Sequence, residues 1–470
     1  MGTKSRFNFT IEAFHQGVTG SCILVCVQYP NGEITKFVVD AGLFQEKEYL
    51  IQNDTIPFHA ENIDFSIITH NHCDHIGRMP LLVKNGFSGV IYTSATNAEL
   101  LRPAFDDNVK VLKNIASSHR TACLYLEKDV DKTMSLVSRC HWQKTTNFND
   151  SIRITFFRNG HLLGAAAVLV QISYPDYEDI NLLFTGDYKK DNIFFDVPIL
   201  PKWVRDLPLT IISESTYGTT DSTDIEYCFD SNIIEAINNN KTVICPVFSQ
   251  GRAQEILYRM KELQNKNLLS TSIPIYLDGK LAIKYTERYK KCSDLKESMQ
   301  EFIPDNFTYI NEDTRENIIN EEEKKIILCT SGMGSYGPAQ VYLPEFITRK
   351  NALIHFTGYC AEDTLGNKLK RAKTGEAVTI GGRVLKKSAS VEYTSEFSAH
   401  DKADELIAFL NQFSDIKMLL INHGTPEVKE SFAKRCLDEV DAKSIGVLGS
   451  GYTFRIDRYG FVKSLPSKRF

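Results

Sequence analysis

The run HNHCDH, His70 to His75, closes an apolar strand-like stretch carrying Phe65, Ile67 and Ile68, and it constrains what this chain can fold into more than any other feature. Three imidazoles and a carboxylate within six residues are more ligand than a core requires. Neutral imidazole nitrogen together with carboxylate oxygen is a donor set that zinc accepts. At alternate spacing His70 and His72 converge on one cation, while the adjacent Asp74 and His75 turn toward a second. The motif therefore reads as half of a two-metal hydrolytic site.

The other donors follow in the order such a site requires. His161 comes after Asn159 and Gly160, behind an alternating segment over 152–157; Asp187 sits in FTGD behind Leu182, Leu183 and Phe184; His423 sits in NHG behind Met418, Leu419, Leu420 and Ile421. Each lies where an apolar strand ends in a glycine-containing turn, so that a rigid sheet presents these side chains from one edge. Taken singly, Asp187 reads equally as a turn residue and His423 as a residue opening a helix.

Short apolar strands alternate with helical stretches over 98–116, 253–264 and 402–412, which is α/β organisation. The donors fall into two blocks, one ending at 187 and one over 400–423, and the stretch between has its own strands over 242–247, 273–277, 325–329 and 352–356. A second α/β domain inserted into the first accounts for that gap better than tandem domains. No apolar run reaches the roughly 18 residues of a membrane span, and the polar opening MGTKSRFNFT reads neither as a signal peptide nor, with Arg6, as a myristoylation signal. The 11 cysteines form no CxxC pair, and several sit in apolar runs, as reduced core thiols do, so a cytoplasmic location is expected. A net charge of −5 excludes a chain that coats nucleic acid through its overall charge. Any such contact must be a local basic groove, for which Arg252, Lys280, Lys368, Lys370, Arg371, Lys386 and Lys387 are candidates. Arg252 is the best placed, in the glycine-containing turn before a helix, where backbone N–H groups also receive phosphate.

The succession Asp40 (in VVDAG), HNHCDH, His161, Asp187 and His423 resembles the metallo-β-lactamase fold. Glu214 in SESTYG, the segment SQGRAQE over 249–255, TSGM over 330–333 and His400 in FSAHDKADE narrow the resemblance to the β-CASP branch, whose members are nucleic-acid nucleases. These marks span almost the whole chain. The resemblance implies an αββα sandwich with an inserted α/β cap: residues 1–212 as the first part of the metallo-β-lactamase domain, 213–375 as the β-CASP domain and 376–470 as the second part. The histidine of NHG is similar to the RNA-acting members, such as ribonuclease J and the endonuclease of the pre-mRNA cleavage and polyadenylation complex, whereas DNA-repair members typically lack it. DAGLFQ and TSGM look closest to the short prokaryotic cleavage-factor-like proteins.

On that resemblance one zinc ion is held by His70, His72 and His161, a second by Asp74, His75 and His423, with Asp187 bridging. Two such cations lower the pKa of a shared water and stabilise charge developing on a phosphodiester. Manganese or iron would suit the same donors. Asp40 is expected to orient a ligand histidine rather than to ligate, its alternative being a plain turn carboxylate. His400 is the implied general acid and Glu214 the carboxylate that keeps it protonated; only the resemblance brings these two together. Ser331, Gly332 and Met333 resemble the cap segment that meets the scissile phosphate. The expected activity is zinc-dependent hydrolysis of single-stranded RNA, endonucleolytic or 5′-to-3′ exonucleolytic, in RNA processing or decay, by a monomer, a homodimer or a subunit of a processing complex, with no membrane partner. A DNA-acting or dual nuclease, a small-molecule ester or thioester metallohydrolase, and a silent RNA-binding subunit are the rivals. The small-molecule reading leaves Glu214, His400 and the insert without a role.

Overall fold

The computed structural model describes residues 7–358, 360, 364–449, 452–457 and 462–466; the polar opening over 1–6 lies outside the described residues. The chain divides into two compact units, Met1–Asn192 with Val197–Ser222 and His400–Phe470, and Ile193–Asp196 with Thr223–Ala399.

Among the described residues the first unit is built on two sheets. An eight-stranded sheet runs in the order Val462–Pro466, Tyr452–Asp457, Asn8–Ala13, Ile23–Gln28, Ile34–Val39, Phe65–Ile67, Val90–Ser94, Val137–Cys140. A seven-stranded sheet runs Ile445–Val447, Asp415–Ile421, Pro208–Ser213, Ile180–Phe184, Ala166–Ile172, Ile152–Arg158, Thr145–Asn147. The period-2 alternation of strand side chains decides the layering. Phe37 and Val39 face inward onto Phe184, Val168 and Ile154, while Val38 between them faces outward onto Ile76, Leu82 and Phe105. In the other sheet Leu182 and Phe184 face inward, and Leu183 faces outward onto Leu406, Leu410 and Phe432. Helices including Ala95–His119 cover one outer face, and Ala403–Leu410 and Pro426–Glu439 the other, which makes the αββα sandwich expected from the sequence. Each fully buried Leu or Phe contributes roughly 1.5–3 kcal/mol, and both faces of both sheets are lined with them.

What positions the site is strand direction. Ile34–Val39 and Phe65–Ile67 are parallel in one sheet, and Ile180–Phe184, Pro208–Ser213 and Asp415–Ile421 are parallel in the other. Their carboxyl ends lead directly into Asp40, His70, Asp187, Glu214 and His423, the edge where open α/β sheets present functional residues.

The second unit has a six-stranded parallel sheet, Phe307–Tyr309, Ile275–Asp278, Ile326–Cys329, Thr242–Pro246, Ala352–Phe356, Ser390–Tyr393, with helices such as Arg252–Asn265 and Lys280–Lys291 between strands. Its extent differs from the expected 213–375 at both ends. Strand Pro208–Ser213 and the turn after it stay in the first unit. Residues 376–399 join the second, because Ser390–Tyr393 extends its sheet and the hairpin Ala377–Ile380 with Arg383–Lys386 sinks Val378 and Ile380 into its core. The short piece Ile193–Asp196 also belongs there, through the ring of Phe194, 5.2 Å from those of Tyr289 and Phe302.

Candidate metal centre

Seven donors that lie far apart in the sequence converge in the first unit as two groups, His70, His72, His161 and Asp187, and Asp74, His75 and His423; within each group the ligand atoms lie within 4.8 Å of one another. Asp187 faces both. Its Oδ2 is 3.7 Å from His70 Nε2 and 3.7 Å from His161 Nε2, while its Oδ1 is 3.3 Å from His75 Nε2 and 3.4 Å from His423 Nε2. His161 Nε2 and His72 Nδ1 are 3.2 Å apart, as are His75 Nε2 and His423 Nε2. Two nitrogens bound at ~2.05 Å to one tetrahedral zinc stand about 3.3 Å apart, so these separations suit a shared cation. His70 Nε2 and Asp187 Oδ1, both buried, have no hydrogen-bond partner among the described residues, a costly arrangement that a cation resolves. The donor set fits a pair of metal ions.

The surroundings hold the donors rigidly. Asp40 is no ligand in this geometry: its Oδ2 accepts from His75 Nδ1 at 2.7 Å and from Thr69 Oγ1 at 2.8 Å, and its Oδ1 accepts from Thr69 N at 2.8 Å. This leaves His75 Nε2 free to face Asp187. Asp40 and His423 both adopt left-handed backbone, at φ 60° and 46°, conformations that cost a non-glycine residue on the order of 1 kcal/mol or more and that cluster at functional sites. The turn after Asp40 is laced to the HNHCDH segment by Ala41 N to His75 O and Leu43 N to Cys73 O, and Ser21 N donates to Asp74 O beside it. Gly42 packs so closely there that a Cβ would come within 1.5 Å of Asp74 O.

Burial drives the electrostatics. Burial holds the His70 imidazole well below the usual histidine range, with His75 adding to it, and burial pushes His72 down to about 4. For Asp74 burial acts upward, but the hydrogen bond from His423 and the charge of His75 hold it at about 2. His75 goes the other way: burial opposes its charge, and Asp187 and Asp40 together raise it well above the usual range.

At the edge of the seven donors, His400 Nδ1 donates to Glu214 Oε2 at 2.8 Å and Oε1 at 3.0 Å. Its Nε2 lies 3.9 Å from Asp187 Oδ2, and its side chain is 17% exposed. Burial opposes protonation, but Glu214, then Asp187 and Asp74, outweigh it and raise the imidazole above its usual range. Glu214 is pinned by Tyr188 N, and by Thr216 Oγ1 at 2.6 Å. Two residues absent from the sequence reading emerge here: Thr69 and Thr216, whose hydroxyls join these carboxylates to donor histidines. Thr216 lies inside SESTYG and Thr69 directly precedes HNHCDH, yet no spacing rule marks a hydroxyl that hydrogen-bonds sideways.

Ser331, Gly332 and Arg252 lie in the second unit, beyond carboxyl ends of its parallel strands. Ser331 Oγ accepts from Tyr336 N at 3.3 Å, and a Cβ on Gly332 would come within 2.8 Å of the Phe248 ring, so close packing accounts for the glycine. The expectation that Arg252 lines a substrate groove is not met by its side chain. It is 8% exposed, and its guanidinium donates to Thr357 O and Phe397 O and pairs with Glu255, because loop carbonyls at that strand end need donors. Lys387 is likewise buried, donating to Leu369 O and Ala372 O at the end of helix Leu365–Arg371. Lys280 is 73% exposed and paired with Glu312, Lys370 sits over the Tyr393 ring, and Lys368, Arg371 and Lys386 are exposed.

Comparison with known proteins agrees with this geometry. Residues 16–222 match the metallo-beta-lactamase superfamily model, 253–369 the Beta-Casp domain, and 384–445 the Zn-dependent metallo-hydrolase RNA specificity domain. The chain is 29% identical over 444 residues to a transcription termination factor FttA of Methanocaldococcus jannaschii, covering 90% of this chain and 66% of that protein. It is 29% identical over 421 residues to the FttA of Methanococcus maripaludis, covering 85% and 64%. With cleavage and polyadenylation specificity factor 73 of Drosophila melanogaster the identity is 28% over 428 residues, covering 87% and 58%. The chain thus spans less than two thirds of the length of these curated relatives. Among the described residues no helix is long and apolar enough to cross a membrane.

Proposed function

The chain belongs to the metallo-β-lactamase superfamily, in its Beta-Casp branch, and from that premise we propose that it is a zinc-dependent ribonuclease hydrolysing phosphodiester bonds of single-stranded RNA in RNA processing or decay. One observation carries the reading: Asp187 faces two separate donor groups with opposite oxygens, and the His400–Glu214 pair stands at their edge. A small-molecule ester hydrolase needs the donors alone.

In this reading His70, His72 and His161 would hold one zinc ion and Asp74, His75 and His423 a second, with Asp187, which faces both groups, available to each. Zinc bound there supplies an activated water and stabilises charge on the attacked phosphate. His400 supplies the proton. With Nδ1–H committed to Glu214, its Nε2–H points toward Asp187 and the donor cluster, placed to protonate the departing ribose 3′-oxygen. Glu214 keeps the imidazole charged until that transfer. Water as nucleophile leaves 5′-phosphate and 3′-hydroxyl ends. A cytoplasmic location is consistent with eleven free cysteines, five of them buried.

The test is cleavage of a labelled single-stranded RNA and a matched DNA by the zinc-loaded protein beside a His400→Ala variant. The expected result is RNA cleavage that falls on the order of 100-fold or more in the variant, with zinc content unchanged and DNA cut more slowly. Wild-type protein that binds two zinc ions yet cleaves no RNA would sink the stand-alone nuclease reading.

A further inference from the structure

Glu214 governs two imidazoles. Its Oε2 accepts from His400 Nδ1 at 2.8 Å and from Thr216 Oγ1 at 2.6 Å, and the same threonine oxygen stands 2.9 Å from His423 Nδ1. A threonine hydroxyl has one proton, and an ionised carboxylate only accepts. The Thr216 proton is therefore spent on Glu214, and the contact with His423 closes only if His423 Nδ1–H donates to Thr216 Oγ1. That fixes the His423 tautomer, with the proton on Nδ1 and the lone pair on Nε2, the atom that faces His75 Nε2 at 3.2 Å and Asp187 Oδ1 at 3.4 Å.

The same arrangement recurs around the other carboxylate. Asp40 Oδ2 accepts directly from His75 Nδ1 and also from Thr69 Oγ1, whose oxygen lies 3.2 Å from His70 Nδ1. Each carboxylate thus holds one histidine directly and a second through a threonine hydroxyl. The two cases differ in what they join. Asp40 reaches two residues of the donor groups, whereas Glu214 reaches one donor, His423, and the proton-donating His400.

We propose that Thr216 is a positioning residue whose hydroxyl carries the hold of Glu214 to His423, so that one carboxylate sets both the proton donor and the second donor group. The proposal rests on the reading of His423 as a metal ligand. Hydrogen-bond partners of ligand histidines typically change metal affinity or activity 10- to 100-fold when removed.

The test compares Thr216→Val, which keeps the shape and removes the hydroxyl, with Thr216→Ser, which keeps the hydroxyl, using zinc retention against a chelator and steady-state RNA cleavage. Expected in Thr216→Val is release of one of two zinc ions at least about tenfold more readily, and a kcat lower by at least about tenfold with KM within twofold. Thr216→Ser is expected to stay within about threefold of wild type in both readouts. Zinc retention and kcat unchanged in Thr216→Val would overturn the proposal, and so would equal damage in Thr216→Ser, which would assign the effect to the methyl group. If wild type binds two zinc ions but cleaves nothing, the nuclease reading fails while the retention comparison still decides this one. Fewer than two zinc ions on wild type overturns both.

Discussion

Replacing Gly42 with alanine puts a methyl group where glycine has a hydrogen, and the structure says where that carbon must go. A Cβ built on Gly42 lies 1.5 Å from Asp74 O, 2.0 Å from Asp74 C and 2.7 Å from His75 N, all of them backbone atoms that no rotamer change can move. Ordinary carbon–oxygen contact needs roughly 3.3 Å, so the 40–43 turn and the 73–75 segment must separate by nearly 2 Å. Ala41 N to His75 O at 2.7 Å and Leu43 N to Cys73 O at 3.0 Å join these segments directly, Gly42 N to Ser21 O and Ser21 N to Asp74 O, each at 2.8 Å, join them through Ser21, and the separation breaks the two direct bonds and one of the bridging pair. Their loss at about 1 kcal/mol each, added to overpacking of about 1–3 kcal/mol, gives a destabilisation of about 4–6 kcal/mol. Because Asp74 and His75 are themselves donors, a shift of that size also disperses the second donor group. Chemical denaturation paired with zinc analysis measures both effects. A Gly42→Ala protein with wild-type stability and two tightly held zinc ions would refute the reasoning.

Glu214 raises His400 above the usual histidine range, and in the proposed function His400 must be charged to give its proton, so kcat is expected to fall as pH rises through that raised value; Glu214→Gln removes the supporting charge and should move the alkaline limb of the pH–rate profile to lower pH. An unshifted limb would contradict the assignment. Arg252→Ala leaves Thr357 O and Phe397 O without their donor and should cost about 2–4 kcal/mol in a denaturant melt while leaving the salt dependence of RNA binding unchanged; a shallower salt slope would show that the guanidinium contacts phosphate after all. Lys429 is 2% exposed, and its ammonium donates to Leu448 O at 2.7 Å. Burial pushes it down to about 8 from 10.5. The unfolded chain therefore binds more protons between those values, and stability rises with pH across that window by about 3 kcal/mol relative to Lys429→Met. Parallel stability profiles of the two proteins from pH 8 to 10.5 would refute it.

Much of this architecture was legible because it follows from period and strand ends. Phe37, Val38 and Val39 alternate faces, as do Leu182, Leu183 and Phe184, and such alternation with apolar residues on both faces calls for a sheet covered on both sides. The residues of the proposed metal centre stand out in the sequence because four of them crowd HNHCDH and the other three, His161, Asp187 and His423, each stand just past the end of such a strand. The insert was legible as a stretch without donors, but its closing boundary was not: nothing in the pattern of 390–393 says whether that strand pairs with Ala352–Phe356 or returns to the first unit. Charged residues misled for one reason throughout. Arg252 and Lys387 read as candidates for a substrate groove, yet each donates to backbone carbonyls near strand or helix ends, and that demand depends on tertiary packing. The hydroxyls of Thr69 and Thr216 escaped notice because their partners, Asp40 and His423 among them, come from other strands.

The measurement that reaches the central claim most directly is the chemistry of the cut ends left on a single-stranded RNA by the zinc-loaded protein. Hydrolysis by activated water with His400 protonating the leaving oxygen predicts 5′-phosphate and 3′-hydroxyl termini, produced with both zinc ions bound and lost in Asp187→Asn. Termini carrying 2′,3′-cyclic phosphate and 5′-hydroxyl would mean that the ribose 2′-oxygen attacked instead, and would contradict the account.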